Sequence, residues 1–245
     1  MAERCVQMNM TKDRLETIYK RMLWVIPGMI LAMIGDYCMG VEPKDSTAIS
    51  GMISSGWLTI ADWRIAVSNI GGLFGTLFYT IATLPFVDFL RSRHNKCAHN
   101  ADKRLIRMYI AGLILGVMSF MYFHLACGTL IHNFNVIYDA AGGDTELAIE
   151  MWNRTYMVQA VPYWVTFFAF ELAVLIGWIA LILRGTFDLK KVWILAAPLV
   201  VAGIGFLFEI LIPWQFNGFC SGFESFGWII MFMGGRKMVR NEMEA

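Results

Sequence analysis

The chain has 245 residues; 58% are hydrophobic, only 16% are charged, and the mean hydropathy is +0.56. A soluble domain carries about 25% charged residues, so a water-soluble globular fold is set aside. A formal net charge of +1 provides no basic surface for nucleic acid, and the five cysteines form no CxxC or other metal spacing.

In chain order, the first 21 residues are polar and charged, which does not fit a cleavable signal peptide. A helix needs about 20 apolar residues to cross ~30 Å of hydrocarbon. On that rule six spans are predicted, at 22–41, 65–89, 105–132, 157–183, 191–213 and 215–235. Residues 65–87 and 108–138 hold no Asp, Glu, Lys or Arg at all. The expected fold is all-α: one polytopic transmembrane helix bundle over residues 1–245, with spans five and six joined by a tight hairpin around Pro213. Two longer connections stand apart. The first, 42–64, contains the semi-apolar "AISGMISSGWLTIADWR" (48–64) with Trp57 and Trp63, and is expected as an interfacial helix or re-entrant piece, since Trp favours that zone. The second, 133–156, is acidic and helix-like after the Gly142–Gly143 break.

Basic residues set the direction. They collect in the N-terminal segment (Arg4 to Arg21), at 91–107, at 184–191 and in the tail after 236; only Lys44, Arg64 and Arg154 lie on the opposite side. Lys and Arg favour the cytoplasmic side. The expectation is a multi-pass protein of the cell membrane with both termini cytoplasmic, which an even number of spans also requires.

With that topology, the ionisable residues inside the spans fall at one level. Asp36, His124, Glu171, Glu209 and Glu224 all lie toward the outer half, joined by Asn69 and by Asn217 and Ser225. A charged residue at mid-helix costs about 2.5–3.5 kcal/mol on insertion scales, so four carboxylates facing lipid would cost roughly 10 kcal/mol. They are tolerable in a wet or paired environment. Cations are scarce: Arg64 is the one certain partner, and it is expected near Asp36 at the rim. Three things balance such an excess: a bound divalent metal, a cationic ligand or shared protons. His124 and His132, eight residues apart, point ~80° apart and lie ~12 Å apart on a helix, so they do not chelate one metal as a pair. Pairs of glycines four apart (Gly71/Gly75, Gly112/Gly116, Gly218/Gly222) are expected to let helices approach closely.

"GDYCMG" (35–40), "WRIAVSNIGGLFG" (63–75) and "RGTFDLKKVWILAAPLV" (184–200) together resemble an uncharacterised group of bacterial six-helix membrane proteins of unknown function. That resemblance brings no catalytic residues with it. The HxxxH zinc pair of ceramidase-like intramembrane hydrolases is not present in the sequence.

The functional expectation is a polar pocket in the outer half of the bilayer that binds, and processes by acid–base or metal-assisted chemistry, an amphipathic or lipid-derived molecule. Glu171, Glu209, Glu224 and His124 are the candidate acid–base groups; Asp36, Arg64, Asn69, Asn217 and Ser225 are the candidate ligand-binding residues. The rival is a proton-coupled carrier or channel acting as a homo-oligomer. A third reading is a structural or signalling membrane protein held by internal salt bridges. Membrane lipids are the expected surroundings in each case.

Overall fold

The computed structural model describes residues 10–50, 53–212 and 214–245; Arg4 and Pro213, named above, lie outside them. The described chain is all-α apart from short two-stranded pairings. The helices are α1 (Lys12–Arg21), α2 (Val25–Gly40), α3 (Asp62–Lys96), α4 (Asn100–Ala140), α5 (Thr145–Leu183), α6 (Pro198–Leu211) and α7 (Phe223–Glu244). The strands are β1 (Glu42–Pro43), β2 (Ala48–Ser50), β3 (Ile53–Ser54) and β4 (Phe216–Asn217). Single turns of 3-10 helix lead into α2, α3, α6 and α7.

Among the described residues, four helical segments are long and apolar enough to cross a membrane: 12–40, 62–96, 100–140 and 161–183. They correspond to the first four predicted spans. The helices overrun those spans because backbone hydrogen bonding does not stop where apolarity stops. The predicted fifth and sixth spans are less regular. α6 has 14 residues and rises only ~21 Å; its 3-10 lead-in, Lys191–Ala196, is separated from it by Ala197, and Pro198 occupies the first turn. α7 has 22 residues, the last third of them polar. Between α6 and α7 the chain forms β4 and a 3-10 turn rather than a tight hairpin.

Local chemistry sets the boundaries. Gly142 and Gly143, at φ 65° and 83°, turn the chain back between α4 and α5. The left-handed region is open to glycine without the Cβ penalty. Asp144 then caps α5 by accepting from the Leu147 amide at 3.1 Å. The segment 133–156 is therefore a protruding helical hairpin, which bears out the helical reading after the glycines and extends it to the residues before them. The other long connection mixes short strands with a short helix. Ala48–Ser50 and Ile53–Ser54 form the β2–β3 pairing, and Ser55–Thr59 a 3-10 helix. Trp57 anchors it: its indole donates to the Met39 carbonyl at 3.2 Å, and its own carbonyl accepts from Asn135 at 3.0 Å.

α3 and α4 form the spine. α2 packs on α3, α5 on α4, and α7 closes the bundle against α1, α2 and α6. Small residues permit the α2–α3 approach. A Cβ on Gly71 would lie 2.6 Å from the Leu31 carbonyl oxygen, and one on Gly75 2.9 Å from that of Gly28. Gly112 meets Val174 and Ala173 of α5 in the same way. The third glycine pair is different: Gly218 sits outside α7 with φ 84°, where a Cβ would collide with the Gly40 carbonyl. It is a turn residue and not part of a helix-packing motif. At the centre, Tyr79 of α3 makes edge contacts with Phe120 of α4 and with Trp228 and Phe232 of α7, at 4.9, 5.4 and 5.7 Å. Its hydroxyl donates to the Leu113 carbonyl at 3.2 Å.

The end of the bundle that carries most basic residues is held by ion pairs. Arg14 reaches Asp88 at 3.3 Å, Arg184 pairs with Asp102, and Arg236 donates to the Tyr19 carbonyl at 2.9 Å. Glu242 accepts from Lys96 at 2.6 Å and Arg93 at 3.2 Å. Burial alone would raise the Glu242 carboxyl, but these two cations outweigh it and hold its pKa below the ordinary value. Its stabilisation is thus present above the unfolded-chain pKa of about 4.3 and is lost as pH falls through the lower folded value. Glu242→Gln is expected to cost ~1 kcal/mol at neutral pH. In thermal denaturation, the gap from the parent should close below the folded pKa; a gap that widens on acidification would refute the assignment.

Candidate functional site

Four elements bring polar side chains to one place in the otherwise apolar interior. α2 supplies Asp36, α3 Ser68, α4 His124, and α7 Ser225 with Glu224. Gly72 makes room for the imidazole: a Cβ there would lie 2.4 Å from the His124 side chain. Gly35 similarly admits Ser68, whose Cα lies 3.1 Å from the position of a Cβ on that glycine. His124 is 2% exposed. Its Nδ1 is 3.2 Å from Ser68 Oγ, and its Nε2 is 3.7 Å from Asp36 Oδ1. Ser225 Oγ donates to Asp36 Oδ2 at 3.0 Å. The result is a chain of polar groups from α3 through α4 and α2 to α7.

The order Ser–His–Asp invites comparison with a nucleophilic triad, and the geometry argues against it. Ser68 is fully buried and is not among the cavity-lining residues. It orients the imidazole without facing any space a substrate could occupy. The Asp36–His124 separation of 3.7 Å exceeds hydrogen-bond length.

Two adjoining cavities meet at this chain. The smaller, about 70 Å³, is lined by Asp36, Ser119, His124, Ser221, Glu224 and Ser225 and walled by Phe120, Phe123, Phe167 and Phe170. The larger, about 260 Å³, is lined by Trp57, Phe123, Cys127, Leu130, Tyr163 and Trp164, among others. Asp36, Phe123 and Ser221 belong to both. The polar and apolar spaces thus share a wall. Deeper still, Glu171 of α5 is 0% exposed, and neither carboxylate oxygen has a hydrogen-bond partner. Glu224 and Trp228 are the groups that interact with it electrostatically, and the Trp228 indole N–H also lacks a hydrogen-bond partner.

The structure therefore brings together Asp36, His124, Glu224 and Ser225, with Glu171 next to Glu224. Other candidates lie elsewhere. Glu209 accepts from the Gly218 and Cys220 amides at 2.7 and 2.8 Å, closing the connection into α7. Arg64 does not pair with Asp36: its Nε donates to the Cys38 carbonyl at 2.7 Å and its Nη2 to that of Val41 at 2.5 Å, capping the C-terminus of α2. Asn217 pairs with Glu42 across the β1–β4 ladder and reaches the Pro43 carbonyl at 3.4 Å. Asn69 lies with His132 and Asp62 in a separate open cleft. Among the described residues, no group of three or more His, Cys, Asp and Glu side chains is placed to hold a metal ion. Ser68 and Asn69 form a consecutive polar pair in an apolar helix, and it is Ser68 and not Asn69 that reaches the cluster. Trp228 and Trp57 carried no signal separable from ordinary aromatic packing.

A family model matches residues 8–242, and the chain belongs to that family, the family of unknown function DUF6796. This agrees with the resemblance drawn from the sequence. No curated protein and no solved structure matches the chain.

Proposed function

We propose that this membrane protein binds an amphipathic, lipid-derived molecule between its helices, with the polar head at Asp36, Glu224 and His124 and the apolar body in the aromatic cavity. The observation that carries this reading is the shared wall: one carboxylate, Asp36, belongs to both the polar and the apolar space. In this reading Glu224 and His124 act on or hold the head, Glu171 supports Glu224, and Trp57 covers the mouth. The carrier alternative needs a polar route through the other half of the bundle. That half is filled instead by buried aromatics such as Phe86, Tyr109 and Trp178, which disfavours it. The test is extraction of the protein into lipid nanodiscs and mass spectrometry of co-purifying lipids. A defined amphiphile retained by the parent and lost on blocking the cavity with Cys127→Trp supports the reading; an identical lipid profile in both sinks it.

The six-crossing arrangement belongs to the same proposal. Lys191–Ala196 with α6 forms a broken fifth crossing and α7 the sixth, with both termini cytoplasmic in the cell membrane. The pocket then opens toward the outer side. Single cysteines at Lys44 and Gly143 are expected to react with an impermeant reagent on intact cells, and those at Asn95 and Lys190 only after permeabilisation. Labelling of Asn95 from outside would overturn the orientation.

A further inference from the structure

The small cavity is acidic, with no basic side chain to match. Asp36 and Glu224 line it, and Glu171 stands behind Glu224. No lysine or arginine is among the lining residues of either cavity. The nearest certain cation, Arg64, is committed to two backbone carbonyls. The rest of the wall is Ser119, Ser221, Ser225 and His124 with four phenylalanines: Phe123 stacks on Phe167 at 5.0 Å, and Phe120 meets Phe170 edge-on at 5.5 Å. Aromatic rings attract a cation over their faces, more strongly where water is excluded. Carboxylates bind an ammonium through charge-assisted hydrogen bonds.

We infer that the head group taken by this pocket is a primary ammonium, so that the ligand is an amine-headed amphiphile. The inference rests on the amphiphile reading above and adds the sign and size of the head. Size follows from volume. A 70 Å³ chamber has room for a group as small as –NH₃⁺ together with water. The ammonium donates to Asp36 and Glu224, while His124, already bonded to Ser68, borders Asp36 on the far side. The alkyl chain leaves past Phe123 into the larger cavity. An anionic head would face two acids, and a neutral hydroxyl would make weaker hydrogen bonds to them than an ammonium does.

The experiment uses three photo-crosslinking probes on one dodecyl chain carrying a mid-chain diazirine, differing only in the head: primary ammonium, hydroxyl or sulfate. Each is added to the full chain in nanodiscs, and labelled peptides are identified by mass spectrometry. The ammonium probe is expected to label the cavity segments of α4 and α5 (residues 123–131 and 163–164) at least about tenfold more efficiently than the hydroxyl probe, a difference of ~1.4 kcal/mol; the sulfate probe should label least. In Asp36→Asn and Glu224→Gln the ratio of ammonium to hydroxyl labelling should fall toward one. Equal labelling by ammonium and hydroxyl in the parent protein overturns the ammonium assignment and leaves the amphiphile reading standing. No labelling of these segments by any head overturns both.

Discussion

Replacing Gly71 by valine is expected to cost about 3 kcal/mol or more and to separate α2 from α3. A Cβ at this position would lie 2.6 Å from the Leu31 carbonyl oxygen. That neighbour is backbone, held in the α2 hydrogen-bond ladder, so a rotamer change cannot relieve the contact. Overpacking of a tight contact typically costs 1–3 kcal/mol, and valine adds two methyl groups beyond the first carbon. Between helices in lipid no hydrophobic driving force compensates, because association rests on close packing. The damage reaches the pocket, since α2 carries Asp36 and α3 carries Ser68. Gly203→Val is the control: a Cβ there meets nothing within 4 Å, and valine exceeds glycine in helix propensity, so stability should hold. The measurement is reversible unfolding in mixed detergent micelles, followed by tryptophan fluorescence. Equal midpoints for the two variants would refute the claim that α2 and α3 meet backbone to backbone.

What could be read from the sequence was what depends on composition and spacing. The Ile65–Val87 and Met108–Tyr138 stretches required long apolar helices, and α3 and α4 contain them. Gly71 and Gly75 announced a close helix approach because four-residue spacing puts both on one face. Asp36, His124 and Glu224 were chosen because charge in an apolar run is costly, and that cost drives such groups to one another. The rest depended on long-range pairing. Nothing local to Arg64 says that its guanidinium will cap α2 instead of pairing with Asp36. The Glu209 carboxylate meets amides nine and eleven residues later only because Gly218 turns left-handed there. The β1–β4 ladder joins residues far apart in the chain, and strands of two residues carry no periodic signal. Glu209 and Glu224 look alike in sequence, each a lone acid in an apolar stretch; the donors they meet tell them apart.

That distinction yields opposite outcomes for the same chemical change. Glu171→Gln and Glu224→Gln are expected to leave stability unchanged or to raise it, whereas Glu209→Gln should lower it by about 1–3 kcal/mol. Glutamine keeps the shape and removes the charge. At Glu209 both carboxylate oxygens accept from backbone amides, at 2.7 and 2.8 Å. An amide side chain offers one acceptor and one donor, so one N–H is left facing another donor; in this half-buried turn the loss falls toward the low end of what a buried unsatisfied group costs. At Glu171 neither oxygen has a hydrogen-bond partner to lose, and the neighbouring charge is Glu224, so removing one acid relieves a like-charge contact. If Glu171 instead formed a buried pair with a cation, its loss would strand that cation at a cost of roughly 3–5 kcal/mol. Three single variants, compared by thermal unfolding in one detergent, decide the matter. A large loss in Glu171→Gln equal to that in Glu209→Gln would make Glu171 an internal strut. Retained stability in Glu171→Gln and Glu224→Gln, with a fall confined to Glu209→Gln, would place the first two acids in a pocket where charge is carried for a ligand at the expense of the fold.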